Sequence, residues 1–212
     1  MFQLPQTTIV NKIIPKNAFD NYTSSKQKRM FTDKVAKIKW ENKLSATTIN
    51  LEGNEVEEIQ IFSISLKEKD QIADLLQIID RSIPYPIIFL VTHGEEAMIS
   101  LSKKHPHPTN ENTAVIDWTF TSAWFDKAKN SYQLNLRQSL DFIFNDLCFQ
   151  LSGKPQSDTS DISALIQNEQ QIKLLQQKIT KLEQEIKRCK QFNRKVELNL
   201  ELQEYRSILI SL

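Results

Sequence analysis

The sequence predicts a mixed α/β domain, of the α+β kind, followed by a C-terminal helical tail. Three stretches carry that expectation. VEEIQIFSISLK and YPIIFLV are β-branched, apolar runs of strand length, and residues 70–82 between them show helical spacing. Beyond residue 161, apolar residues recur three and four apart over about four heptads with no Pro or Gly, the pattern of a coiled coil. The expected organisation is a mixed-sheet domain with flanking helices over 1–151, a linker over 152–161, and a coiled coil or helical hairpin over 162–212.

Residues 1–16 read as an extended arm ending at Pro15, pinned to the body by Phe2, Leu4, Ile9, Ile13 and Ile14. Ser24 or Ser25 caps a helix expected over 25–40. At about 100° per residue, Phe31, Val35 and Ile38 share one stripe, and Lys26, Arg29, Asp33 and Lys37 lie on roughly the opposite side. KLSATTINL and EEIQIFSISLK alternate and are β-branched, with turn residues around Gly53-Asn54 between them, so both read as strands. The helix over 70–82 carries Ile72, Leu75, Leu76 and Ile79; Pro84 and Pro86 end it and deliver YPIIFLV as a buried central strand. Strand, helix and strand in that order make a parallel, right-handed crossover. THGEE folds back into AMISLSK as an antiparallel neighbour, KKHPHPTNEN reads as a loop, and TAVIDWTF as a further strand. Residues 135–151 read as a helix with Leu136, Leu140, Ile143 and Leu147 inward.

Composition removes several classes of function. With 212 residues, 40% of them apolar, there is room for one domain of about 150 residues plus an extension. A net charge of +1 excludes a polycation, so any contact with nucleic acid has to come from local clustering. Three glycines argue against a Gly-rich phosphate loop. Cys148 and Cys189 both sit in helical apolar patterns and supply neither a disulfide framework nor a CxxC zinc pattern. There is no signal-peptide core, and PIIFLV is too short to cross a bilayer. The expectation is a cytoplasmic protein with no membrane contact and no cofactor.

The tail is the clearest candidate for partner binding. One seam holds Leu165, Ile172, Ile179, Ile186, Asn193 and Leu200; the other holds Leu175, Leu182, Cys189 and Val196. QFNRKVELN also reads as a turn, which would make a hairpin of 162–190 and 194–210, and a separate stripe of Leu198, Leu202, Tyr205 and Leu209 favours that form. In the body, nine Lys or Arg lie between Lys12 and Lys43, interleaved with Phe19, Tyr22, Phe31 and Trp40. Cations that displace counterions and rings that stack on bases suit a nucleic-acid groove, and Lys26, Arg29 and Lys37 are its candidates. Against it, Phe31 lies on the apolar stripe, which makes such rings core.

Glu58-Ile59-Gln60 stands where metal-dependent nucleases of the restriction-enzyme type place Glu-x-Lys on a central strand. Gln60 replaces the lysine, so Lys67 or another base would have to substitute, and no upstream Asp completes the set. The plain reading is an acidic strand start. His105 and His107 lack third and fourth ligands and His93 is isolated, so no metal site is expected. No Ser or Cys stands in a nucleophile motif.

The segments FQLPQTTIVNKIIPKNAF, KIKWENKLSATTINL, VEEIQIFSISLKEKD, IDRSIPYPIIFLV and KQFNRKVELNLEL together resemble a bacterial family known as domain of unknown function 4391. Its landmarks here are Ile14-Pro15-Lys16, Trp40 with Lys43-Leu44, Glu57-Glu58-Ile59, Ile83-Pro84, and Phe192-Asn193-Arg194-Lys195 with Glu197. The resemblance implies no activity. It does imply a setting, since members tend to lie beside superfamily-2 helicases and DNA methyltransferases of restriction and phage-defence loci. The expectation is a non-catalytic accessory subunit that binds a helicase or methyltransferase, or itself, through the C-terminal helices. The alternatives are a divergent metal-dependent nuclease built on Glu58 with Gln60 or Lys67, or a DNA-binding module using the basic helix 25–40.

Overall fold

The computed structural model describes residues 2–154 and 161–211. The chain forms two compact units, Met1–Gln156 and Ser157–Leu212. The expected linker 152–161 falls largely outside the described residues. In the first unit, strands β1 (Ile9–Ile14), β2 (Val35–Ser45), β3 (Glu58–Leu66), β4 (Ile87–His93), β5 (Glu96–His107) and β6 (Asn110–Thr121) lie side by side in chain order. A seventh, β7 (Phe125–Asp126), pairs with the start of β5. Only β3 and β4 run parallel, with Phe62 beside Phe89 and Ile64 beside Val91; every other pairing is antiparallel. The helices of this unit are α1 (Ser25–Lys34), α2 (Ala46–Ile49), α3 (Ala73–Arg81) and α4 (Leu140–Ser152).

The α3 crossover supplies Leu75, Leu76, Ile78 and Ile79 to a core completed by Phe62, Ile64, Phe89 and Val91 from the two parallel strands. Phe62 meets Phe89 edge to face at 6.3 Å between ring centroids. Phe19 and Phe31, stacked at 5.9 Å, extend the same cluster toward β2. Gly53 permits the loop before β3 to close, because a Cβ there would run into the Val56 carbonyl. The loop is then clasped by Asp141 of α4, whose carboxylate accepts from the amides of Asn54, Glu55 and Val56.

Four local expectations are corrected. The helix expected over 25–40 ends at Lys34, and Lys37 sits on β2 opposite Ser65. Ser24 and Gln27 close a capping box at its start, but from Val35 the backbone is extended and pairs with β3. A register shift between Val35 and Lys37 carries both Val35 and Ile38 into the core. The bulge therefore reproduces the three-residue spacing that had signalled a helix.

KLSATTINL is not one strand: Lys43–Ser45 end β2, and Ala46–Ile49 make one helical turn. Here local polar bonds override β-branched propensity. The Thr48 hydroxyl accepts from the Ser45 amide at 2.9 Å, and Asn50 closes the turn with φ +54°. KKHPHPTNEN is a hairpin rather than a loop, since β5 runs to His107 and β6 starts at Asn110. Pro106 is accommodated there beside a register shift. The helix expected over 135–151 is shorter at its start, Leu140–Ser152, because Ser139 caps it by accepting from the Phe142 amide.

Candidate functional site

The second unit is a helical hairpin of α5 (Ile162–Arg188) and α6 (Phe192–Ser211). Neither Gly nor Pro makes the turn. Cys189 ends α5 in an extended conformation, and Arg194 in the first turn of α6 reaches Glu185 at 3.6 Å and Glu197 at 3.0 Å, bracing the two arms. Glu185 and Glu197 together hold the Arg194 guanidinium above its ordinary pKa range, the Glu197 hydrogen bond first. Between the arms, Leu182, Leu198 and Leu202 are buried, with Ile179, Ile186, Cys189 and Tyr205 packed on them. Arg206 pairs with Glu183 at 2.7 Å, and Lys178 lies 5.2 Å over the Tyr205 ring.

This packing redistributes the expected partner-binding residues. Ile179, Leu182 and Ile186 face the hairpin's own second helix, and Leu175 is buried. Leu165 is buried and Ile172 half-buried in the first half of α5. Val196 alone of that set is exposed, and it has company. Phe192, Val196, Leu200 and Ile210 are 79%, 44%, 61% and 86% exposed. At about 100° per residue they form one stripe on the side of α6 opposite Leu198, Leu202 and Tyr205. Lys195 and Arg206 flank that stripe on one side, Glu197 and Glu204 on the other. Leu200 belongs to the expected first seam, but Phe192 and Ile210 were not among the expected contacts, because a continuous seven-residue seam hides a helix that is apolar on two faces.

The basic residues do not make one helical face. Lys26 and Arg29 are exposed on α1, Arg29 paired with Asp33 at 3.4 Å, whereas Lys37 is exposed on a strand. Of the four interleaved rings, Phe19 and Phe31 are core, Trp40 is packed against it, and Tyr22 is exposed. The acidic candidates are separated as well. Glu58 opens β3 and Lys67 follows its far end, nine steps away, or about 30 Å at strand rise. Lys67 donates to the Thr32 carbonyl at 2.9 Å. The base that does reach Glu58 is Lys43, at 2.5 Å, delivered by the register that sets Lys43 opposite Gln60; Gln60 also donates to Glu58 at 2.6 Å. The two lie fifteen positions apart in the chain, so only strand register brings them together. His105 bonds Asp117 at 2.8 Å, and His107 accepts from the Thr109 amide. Among the described residues, no group of three His, Cys, Asp or Glu is placed to hold a metal ion.

A further polar arrangement had no counterpart in the expectations. Asp80 on α3 and Lys104 on β5 form an ion pair at 2.7 Å with side chains 2% and 1% exposed. Lys104 also donates to the carbonyls of Asp80 and Ile83, both at 2.7 Å, so its three protons are all used. Burial pushes the Asp80 carboxyl up and the Lys104 ammonium down, each charge partly restoring the other. The strand pattern held the only signal: Ser100, Ser102 and Lys104 alternate with the apolar Ile99 and Leu101 on a strand whose two faces are both covered.

A family model described as Domain of unknown function (DUF4391) matches residues 2–209. The chain belongs to that family. No curated protein and no solved structure matches it. The match spans the sheet body and the hairpin alike, so the two units belong to one family unit rather than to separate modules. Among the described residues, no helix of the chain is long and apolar enough to cross a membrane.

Proposed function

We propose that the chain is a non-catalytic accessory subunit of a bacterial anti-phage defence or restriction–modification complex, docked through its hairpin on a helicase or methyltransferase subunit. One observation carries the reading: the exposed stripe Phe192, Val196, Leu200 and Ile210 on a helix whose other face is already packed. Large apolar side chains gathered on one face of a water-soluble helix mark an interaction surface more often than scattered ones do. Arg206 and Glu197 are engaged by Glu183 and Arg194 within the hairpin, so the remaining flanking charges describe the partner: an apolar groove with an acidic rim on the side of Lys195 and a basic rim on the side of Glu204. The setting that the family resemblance implies supplies helicases and methyltransferases as the candidates.

The test compares tagged wild type with the triple substitution Phe192→Ser, Val196→Ser and Leu200→Ser in the native host. The expected result is a helicase or methyltransferase recovered by wild type and lost by the triple variant, with the hairpin's helicity unchanged by circular dichroism. Recovery of the chain alone, or of the same partner by both forms, would overturn the reading.

A further inference from the structure

The buried pair Asp80–Lys104 stands at the end of a cleft between α3 and β6, which is the last strand on its side of the sheet. The sheet face beneath α3 is apolar through Phe89 and Met98, then changes character. Ser100 and Ser102, each 3% exposed, pair their hydroxyls with Thr121 at 3.3 Å and Thr119 at 3.0 Å. Each pair is satisfied internally, yet a hydroxyl carries one proton and two lone pairs, so the row keeps acceptor capacity for a polar group above it. Here they floor a chamber of about 180 Å³ that Asp80 also lines, walled by Leu76, Phe89 and Met98. At about 30 Å³ per water, that is room for roughly six waters or for one small heterocycle.

Chemistry narrows the occupant. Asp80 and Lys104 cancel in charge, so the chamber favours a neutral group. Hydroxyls and a carboxylate at its floor suit a ring with donors and acceptors along its edges, and apolar walls suit flat faces. A sugar, polar on every side, fits such walls poorly.

The chamber also has an outer neighbour. Gln77 of α3 lines both it and a second cavity of about 390 Å³, bordered by Tyr22, Arg81 and His107. Arg81 is exposed and makes no ion pair among the described residues. His107 accepts from the Thr109 amide at Nδ1, which leaves its Nε2–H to donate outward. Asp74 borders the same cavity and tempers its positive charge.

We propose that this cleft binds a nucleotide, with the base in the inner chamber against Asp80 and the hydroxyl row and the phosphate at Arg81 and His107. The ligand is either a free mononucleotide or a nucleotide unit of a single strand, since both present the same base and phosphate. The proposal is independent of partner docking through the hairpin.

Calorimetry on the full chain tests it, using the four deoxynucleoside monophosphates, their nucleosides and a short single-stranded DNA. At least one monophosphate is expected to bind saturably. Thr119→Val keeps side-chain shape but removes a hydroxyl, and should weaken nucleotide and nucleoside alike by about tenfold. Arg81→Gln, at an exposed site, should weaken the nucleotide by about tenfold or more and leave the nucleoside unchanged. Tighter binding of the oligonucleotide, with the same loss on Thr119→Val, assigns the source to a strand; otherwise the free nucleotide is the ligand. No saturable heat with any of these at about 1 mM, or binding that both folded variants leave intact, would overturn the proposal.

Discussion

Lys104 shows how much one side chain depends on its surroundings. In the sequence it sits in KKHPHP, which reads as a solvated loop, and only its alternation with Ser100 and Ser102 marks it. In the fold its side chain is 1% exposed, with every ammonium proton bonded to Asp80 or Ile83. Removing one partner leaves the other charge buried and unpaired. Lys104→Met is therefore expected to cost about 3–5 kcal/mol in urea unfolding, and the double variant Asp80→Leu with Lys104→Met should recover most of that loss.

The same pair has a pH signature. Burial holds the Asp80 carboxyl above its ordinary 3.8. Between that value and its native pKa the folded state holds the proton more readily than the unfolded chain, so this group's contribution to stability grows as pH falls through that window. Asp80→Asn should abolish the contribution. Unfolding profiles of wild type and variant, subtracted across acidic pH, should show the difference with that sign.

At the scale of elements, the corrections share a cause. Phe31, Val35 and Ile38 carry helical spacing, yet Val35 and Ile38 are buried from a bulged strand, because a bulge and a helical turn bring the same positions to one face. Periodicity reported which residues are inside and misreported the backbone that put them there. In the tail, the seam at Ile179, Leu182 and Ile186 was legible, but the second helix that covers it was one of two readings. The hairpin makes a sharp contrast within α6. Leu202, 7% exposed, should cost about 2–3 kcal/mol on replacement by Ala, seen as hydrogen-exchange protection lost within 175–209. Leu200→Ala, at 61% exposure on the same helix, should stay within about 0.5 kcal/mol.

For the whole molecule, the large core of the sheet body, from Phe19 to Met98, draws only on the first unit, and the hairpin core from Leu182 to Leu202 only on the second. Each unit thus has a core of its own. A fragment spanning 2–154 is expected to fold alone, with dispersed amide resonances that overlay those of the same residues in the full chain. Collapse of those resonances would show that the body depends on the hairpin.

Local hydrophobic period and chain connectivity were enough to place the parallel β3–α3–β4 crossover, the antiparallel strands that follow and the apolar helical tail. They did not reach three features of the fold: β2 begins where a helix was expected to continue, Lys43 and not Lys67 meets Glu58, and Lys104 lies buried against Asp80. Each of those depends on strand register or on which face a second element covers, and residues distant in the chain set both.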